Sequence, residues 1–217
     1  MNNNRFSRIH RIELSGVGKK FAGRWIIKDT AILLERGDRL LIEGPNGSGK
    51  STLLQILAGY ITPTTGAVRF YSESGEIETT EWFRDLSLAA PYMDLIEDFT
   101  LDENIEFYYR HKPAIPGTDI SLILEQAGLT HARNKQVKHF SSGMKQRLKL
   151  LLAFYADTSL LLLDEPLSNL DENGFEWYRT LIASHAPQRM LVVCSNQAAQ
   201  EAFFCNKRHK VTDRTAG

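Results

Sequence analysis

At 217 residues the chain is long enough to bury a sizeable core, and its 26 basic side chains are matched by 26 acidic ones. The resulting net charge of zero excludes a protein whose main task is to coat nucleic acid, which needs a basic excess, so no nucleic-acid partner is expected. Two cysteines, Cys194 and Cys205, show neither metal-ligand spacing nor a disulfide framework, which points to a reducing compartment.

From the N-terminus, Met1-Asn2-Asn3-Asn4-Arg5 lacks the apolar core of a signal peptide. Residues 9–14 and 25–34 read as strands of a small sheet, separated by the turn formers Gly16, Gly18 and Gly23. A short apolar strand over 39–43 ends in a glycine-rich loop. A helix from Lys50 to about Tyr60 follows, stopped by Thr62-Pro63-Thr64-Thr65-Gly66. Residues 67–71 and 86–90 read as strands, and 94–129 as helical with breaks at Pro113, Pro116 and Gly117. The first part of that stretch mixes apolar Leu95, Ile96, Phe99 and Leu101 with the acids Asp94, Glu97, Asp98, Asp102, Glu103 and Glu106.

Beyond it come a helix over 144–155, a buried strand over 160–163, a helix over 175–184, a buried strand over 190–194 and a last helix over 198–204. Cys194 lies in an apolar run and reads as a small buried residue. The apolar stretch 148–163 is broken by Lys149, Asp157, Thr158 and Ser159, so it falls short of the ~20 apolar residues of a membrane-spanning helix. A soluble chain is expected, its membrane role exercised through another subunit. Apolar strands alternating with helices predict an α/β core with a mainly parallel sheet flanked by helices, beside a small antiparallel β subdomain. Residues 1–217 are expected to form one domain, with a helical insertion over about 92–147.

Gly44-Pro45-Asn46-Gly47-Ser48-Gly49-Lys50-Ser51, followed by Thr52, fits G-x-x-x-x-G-K-[ST] and has the required setting between a strand and a helix. Glycines let backbone N–H groups converge on phosphate oxygens, and the helix N-terminus favours an anion. Lys50, expected to face solvent in the empty loop, would reach the β- and γ-phosphates of ATP, and the Ser51 hydroxyl would ligate Mg2+. Downstream, the apolar run Leu160-Leu161-Leu162-Leu163 ends in Asp164 and Glu165. Two acids at the carboxyl end of a core strand sit where open α/β sheets bind ligands. Asp164 would hold Mg2+ through water, and Glu165 would take a proton from the attacking water.

The phosphate loop, then Phe140-Ser141-Ser142-Gly143-Met144-Lys145-Gln146-Arg147, then Leu160–Glu165 with Pro166, then Ser168-Asn169-Leu170-Asp171 together resemble the motif order of ABC ATPases. The resemblance spans essentially the whole chain and implies a P-loop NTPase fold of the ABC nucleotide-binding type. It also implies a head-to-tail dimer in which Ser141, Ser142 and Gly143 face the γ-phosphate bound by the opposite subunit. By the same resemblance Asp171 crosses the dimer interface, although by itself it is equally a helix cap, as Ser141 and Ser142 are. Phe21 lies where the family places its adenine-stacking aromatic, with Trp25 as the competitor.

Two positions depart from the family pattern. Pro91 stands where a glutamine is expected after the strand near Ala90, and Asn196 where a histidine is expected after the strand ending at Cys194. Asn196 is a neutral candidate for the γ-phosphate contact. The chain thus resembles the ATP-binding subunit of an ABC transporter, of export type and similar to haem exporters. The implied setting is a homodimer or pseudo-dimer of such subunits on an integral membrane permease, in the cytoplasm at the inner face of the cell membrane. A non-transport ABC ATPase and a slow-turnover regulatory module are the alternative readings.

Overall fold

Two sheets divide the strands, and the alternation of side chains decides which core each strand feeds. The computed structural model describes residues 8–78, 80–196 and 198–211; Met1–Arg5, read above as lacking a signal peptide, lie outside them. Strands β1 (Arg11–Phe21) and β2 (Arg24–Glu35) form an antiparallel hairpin closed by Ala22 and Gly23 at φ 47° and 81°. Positive φ at both turn residues matches the twist of the paired strands.

The break expected at Gly16 and Gly18 does not occur, because β1 runs through both. Its pairing with β2 slips between Leu14 and Val17, and again between Val17 and Lys19. These glycines therefore serve bulges inside a strand instead of ending it. At Gly18 a Cβ would come within 2.6 Å of Thr65 Oγ1 and 2.8 Å of the Trp25 ring.

The parallel sheet holds β3 (Arg39–Glu43), β6 (Leu86–Ala89), β7 (Leu160–Asp164), β8 (Met190–Ser195) and β9 (Lys207–Lys210), in the spatial order β6-β7-β8-β3-β9. Strands β4 (Thr65–Ser72) and β5 (Gly75–Glu76) complete the antiparallel sheet, in the order β2-β1-β4-β5. Successive residues of β7 serve opposite faces of the parallel sheet, as strand geometry requires. Leu160 and Leu162 join a core with helix α1 (Lys50–Leu57) and the antiparallel sheet. Leu161 and Leu163 join the second core, with α4 (Ser142–Tyr155) and α5 (Glu172–His185). Strands buried on both faces are the reason for the uninterrupted run of leucines.

Helix boundaries are shorter than the pattern suggests at three places. Helix α1 stops at Leu57, and Gly59 follows at φ 78°. Only α2 (Leu101–His111) and α3 (Ile120–Gln126) form between 94 and 129. The segment before α2 is a loop because Asn104 holds it, accepting from Ile96 N–H at 3.0 Å and donating to the Ile96 and Thr100 carbonyls at 3.0 Å each. Thr100 and Glu103 then start α2 with a reciprocal capping box. The last helix, α6 (Ala198–Glu201), ends three residues before the expected 204.

Candidate nucleotide site

Strands β3, β7 and β8 end side by side, with Glu43 opposite Ser195 and Asp164 opposite Cys194. The chain segments that leave these ends form the site. After β3, the loop Gly44–Gly49 turns into α1, and two of its glycines take positive φ, 79° at Gly47 and 103° at Gly49. A Cβ on Gly44 would collide with the Val211 carbonyl and lie 2.7 Å from Ser48 Oγ, while one on Gly49 would lie 2.8 Å from Ile26 Cγ2. Helix α1 starts at Gly49 with no side-chain cap and no acidic residue in its first turn. The first N–H groups of a helix have no partner within it, so Lys50, Ser51 and Thr52 stand at an uncapped, electropositive helix start. Pro45, Asn46 and Gly47 are exposed, and Ser48 is buried, its hydroxyl unpartnered among the described residues.

Lys50 is not the solvent-facing group expected from the sequence. It is 5% exposed, and its ammonium donates to the carbonyls of Gly44 at 2.9 Å and Pro45 at 3.0 Å. An ammonium has three donors and no acceptor, and here it bonds the carbonyls that shape the loop.

The two acids of β7 behave differently. Asp164 is buried, and burial pushes its carboxyl above the ordinary range, against the Ser51 hydroxyl and the Lys50 charge, which favour ionisation; Glu165 adds to the upward push. Among the described residues its Oδ1 has no hydrogen-bond partner. Hard oxygens from one hydroxyl and one buried carboxylate suit Mg2+, which is bound by few protein ligands plus phosphate oxygens. The donor set therefore fits. Glu165 is half-buried at φ 45°, an uncommon backbone for a non-glycine residue, and its N–H donates to the Cys194 carbonyl at 2.9 Å. Asn196, one residue past β8, donates from Nδ2 to Glu165 Oε1 at 2.7 Å.

The segment containing Ser141 lies at a second place. Ser141 caps α4 by accepting from Met144 N–H at 3.2 Å, and Ser142 is the first helical residue. Gly143 is needed because a Cβ there would stand 2.8 Å from the Asn169 carbonyl. Asp171 caps α5, accepting from Gly174 N–H at 2.9 Å, and pairs with Arg147 at 2.6 Å. Ser141, Gly143, Arg147, Asn169 and Asp171 line an open groove of about 490 Å³, and no residue of the phosphate loop contributes to it. One chain thus brings Asn196, Glu165, Asp164 and Ser51 together and keeps Ser141–Gly143 apart from them. Phe21 ends β1, 45% exposed, with Lys19 Nζ 5.1 Å from its ring centre. Trp25 carries Lys20 in the same way at 4.3 Å.

The family model for ABC transporters matches residues 27–168. The chain belongs to the ABC transporter family. It is an ATP-binding subunit of that family, whose members are ATPases. The lantibiotic transport ATP-binding protein SrtF of Streptococcus pyogenes is 30% identical over 196 residues, 88% of this chain and 81% of that protein. The cytochrome c biogenesis ATP-binding export protein CcmA of Haemophilus influenzae is 29% identical over 188 residues, 86% and 89% of the two chains. The fold is shared with a bacterial Atm1-family ABC exporter solved with ATP bound, at a TM-score of 0.77 and 17% identity over 97% of this chain and 39% of that one. It is shared also with a nucleotide-free ATP-binding cassette from an ABC transporter, at 0.72 and 18% over 94% and 88%.

Within this ABC subunit, sequence reasoning missed two polar supports of the site. Glu201 of α6 is buried and accepts from Leu167 N–H at 3.0 Å, holding the turn that follows Glu165. Lys149, read only as a break in an apolar stretch, donates to the carbonyls of Ala90 at 3.1 Å and Pro91 at 3.0 Å. The available signal was an isolated charge in each apolar setting, which in a folded core requires a partner.

Proposed function

We propose that this subunit hydrolyses ATP with Mg2+ between two copies of itself, or between itself and a similar subunit, and drives an integral membrane permease. The observation that carries the reading is the junction at the ends of β7 and β8. There Asp164 faces Ser51, and Glu165 is gripped by Asn196 at 2.7 Å. Ser51 and Asp164 would hold Mg2+, which when bound offsets the charge of the phosphates. Lys50 would exchange its carbonyl partners for phosphate oxygens, a charge-assisted and stronger set of bonds. Glu165 would accept the proton of the attacking water. Asn196 orients Glu165, and because its amide has two N–H donors it can do so while reaching a phosphoryl oxygen. It cannot carry a proton, which fits slow turnover. Phe21 stacks on adenine.

Dimerisation is supported by the separation of the Ser141 groove from the phosphate loop, since a second copy could lay its Ser141, Ser142 and Gly143 on the γ-phosphate. Asp171 at the rim of that groove would then meet the opposite subunit. The whole chain, residues 1–217, is read as one ATP-binding domain with a helical insertion over about 92–147. Among the described residues no helix is long and apolar enough to cross a membrane, and the permease would supply that part, with this subunit on the cytoplasmic face. The names of the relatives, lantibiotic transport and cytochrome c biogenesis export, favour an export-type task.

Glu165→Gln tests the reading. It keeps the hydrogen bond from Asn196 and removes the base, so phosphate release should fall ~10²–10⁴-fold. With ATP and Mg2+ the variant should elute as a dimer in size-exclusion chromatography. Wild-type turnover in the variant would remove Glu165 as the base.

A further inference from the structure

The backbone of Glu165 has φ 45°, a conformation few non-glycine residues adopt, and the chain around it is pinned. Its own N–H donates to the Cys194 carbonyl at 2.9 Å, and its carbonyl accepts from Ser168 N–H at 3.0 Å. Within that turn, Gln146 of α4 is 5% exposed and donates from Nε2 to the Pro166 carbonyl at 2.8 Å. Glu201 of α6 takes the next group, its Oε1 accepting from Leu167 N–H at 3.0 Å. Strained backbone persists only where its surroundings over-determine it, and such strain gathers at functional positions.

Glu201 also reaches the neighbouring strand. It is 3% exposed, and its carboxyl lies against the hydroxyl of Ser195, the last residue of β8. Ser195 directly precedes Asn196, which donates to Glu165 Oε1 at 2.7 Å. One buried carboxyl thus touches both the turn that carries Glu165 and the strand end that carries Asn196. Burial pushes this carboxyl above the ordinary range, against the Ser195 and Leu167 hydrogen bonds, which favour ionisation; the Glu165 and Asp164 charges add to the upward push. An apolar side chain would fill the same place at lower cost, so the worth of the carboxyl lies in the groups it joins.

We propose that Glu201 is a positioning residue for hydrolysis, joining the turn after β7 to the end of β8 and so aiming the Glu165 carboxylate that Asn196 holds. This deepens the reading above and rests on its assignment of Glu165 as the base. Glu201 touches neither nucleotide nor water itself; it acts through Glu165. Its own carbonyl accepts from the Tyr178 hydroxyl at 3.0 Å, which fixes the start of the lever in the α5 core.

Glu201→Met fills the place and removes the acceptor. Steady-state phosphate release should show kcat about tenfold lower, with KM for ATP at the wild-type value because the phosphate loop is untouched. Glu201→Gln, whose amide oxygen can still accept from Leu167, should recover most of that loss. The deciding measurement is a cycle with Glu165→Gln: once the base is gone, adding Glu201→Met should not lower the residual rate further. Tyr178→Phe, which leaves the Glu201 carboxyl bonded, should keep kcat. If Glu201→Met does not fold, Glu201→Asp, too short to reach Leu167, takes its place with the same expected loss. A wild-type kcat in the Met or Asp variant overturns the proposal. So does an equal loss in the Glu165→Gln background or in Tyr178→Phe, which would assign the effect to the packing of α6. Wild-type turnover in Glu165→Gln alone would bring down the assignment of the base, and the proposal with it.

Discussion

At the scale of single residues, the contact between Asn196 and Glu165 ties the end of β8 to the second acid after β7. An amide at 2.7 Å from a carboxylate oxygen restrains it without changing charge over the physiological pH range. Asn196→Ala should let Glu165 rotate and lower the ATPase rate about tenfold, the value of one hydrogen bond to a charged group. Because Asn196 is exposed, its melting temperature should hardly move. Asn196→His should raise the rate, since an imidazole can both hold Glu165 and stabilise developing phosphate charge. Steady-state phosphate release beside thermal melting checks both variants; a lower melting point with an unchanged rate in Asn196→Ala would make Asn196 a structural residue. The bonds from Lys50 to its own loop belong to the same scale: a buried ammonium needs acceptors, and sequence does not show that these are the Gly44 and Pro45 carbonyls.

At the scale of elements, α4 and α5 carry the groove of Ser141 and Asp171 at one end and pack tightly at the other. His185, in the last turn of α5, lies 4.7 Å from the Tyr155 ring and 6.0 Å from the Phe154 ring of α4, centre to centre. A cation is normally favoured at a helix C-terminus. Here burial outweighs that preference, and with the Arg189 charge it lowers the His185 pKa to about 4. The unfolded chain takes up this proton near pH ~6.5, the folded one only near 4. Between those values the unfolded state binds more protons, so the stabilisation is complete above pH ~6.5 and is lost as pH falls toward 4. His185→Phe, which keeps an aromatic ring between the helices, should flatten this part of the acid limb. Melting temperatures of the two proteins should converge or cross between pH ~7.5 and ~4.5; parallel curves would show that His185 titrates freely.

For the whole molecule, the question is how a permease would sense the site. The loop between β6 and α2 is joined to the Ser141 segment by ion pairs, Glu97 with Lys145 at 2.6 Å and Asp98 with Lys138 at 3.0 Å. The acids of this stretch are thus engaged, yet Glu97 and Asp98 remain 63% and 84% exposed. Exposed pairs contribute about 0–1 kcal/mol, so replacing both acids by lysine should leave the fold and ATP affinity intact. If a permease docks on this loop, co-fractionation with membranes should weaken; undiminished co-fractionation would rule the loop out as its docking surface. Much of this architecture was legible beforehand. The phosphate loop, the acids after Leu163 and the alternation of strands and helices are local patterns, set by backbone freedom at glycine and by the period of apolar residues. Other features were not legible, because they depend on partners distant in sequence. Gly16 and Gly18 look like turn formers until β2 and β4 are laid beside them, and residues 94–99 look helical until Asn104 captures their carbonyls. By itself the sequence determined the family and the class of fold, since each rests on residue types at short fixed spacings. Only the tertiary structure decided that Lys50 is turned inward and that Asn196 grips Glu165. Those outcomes depend on which chain ends the parallel sheet brings side by side, and on which buried polar groups are left there to satisfy one another.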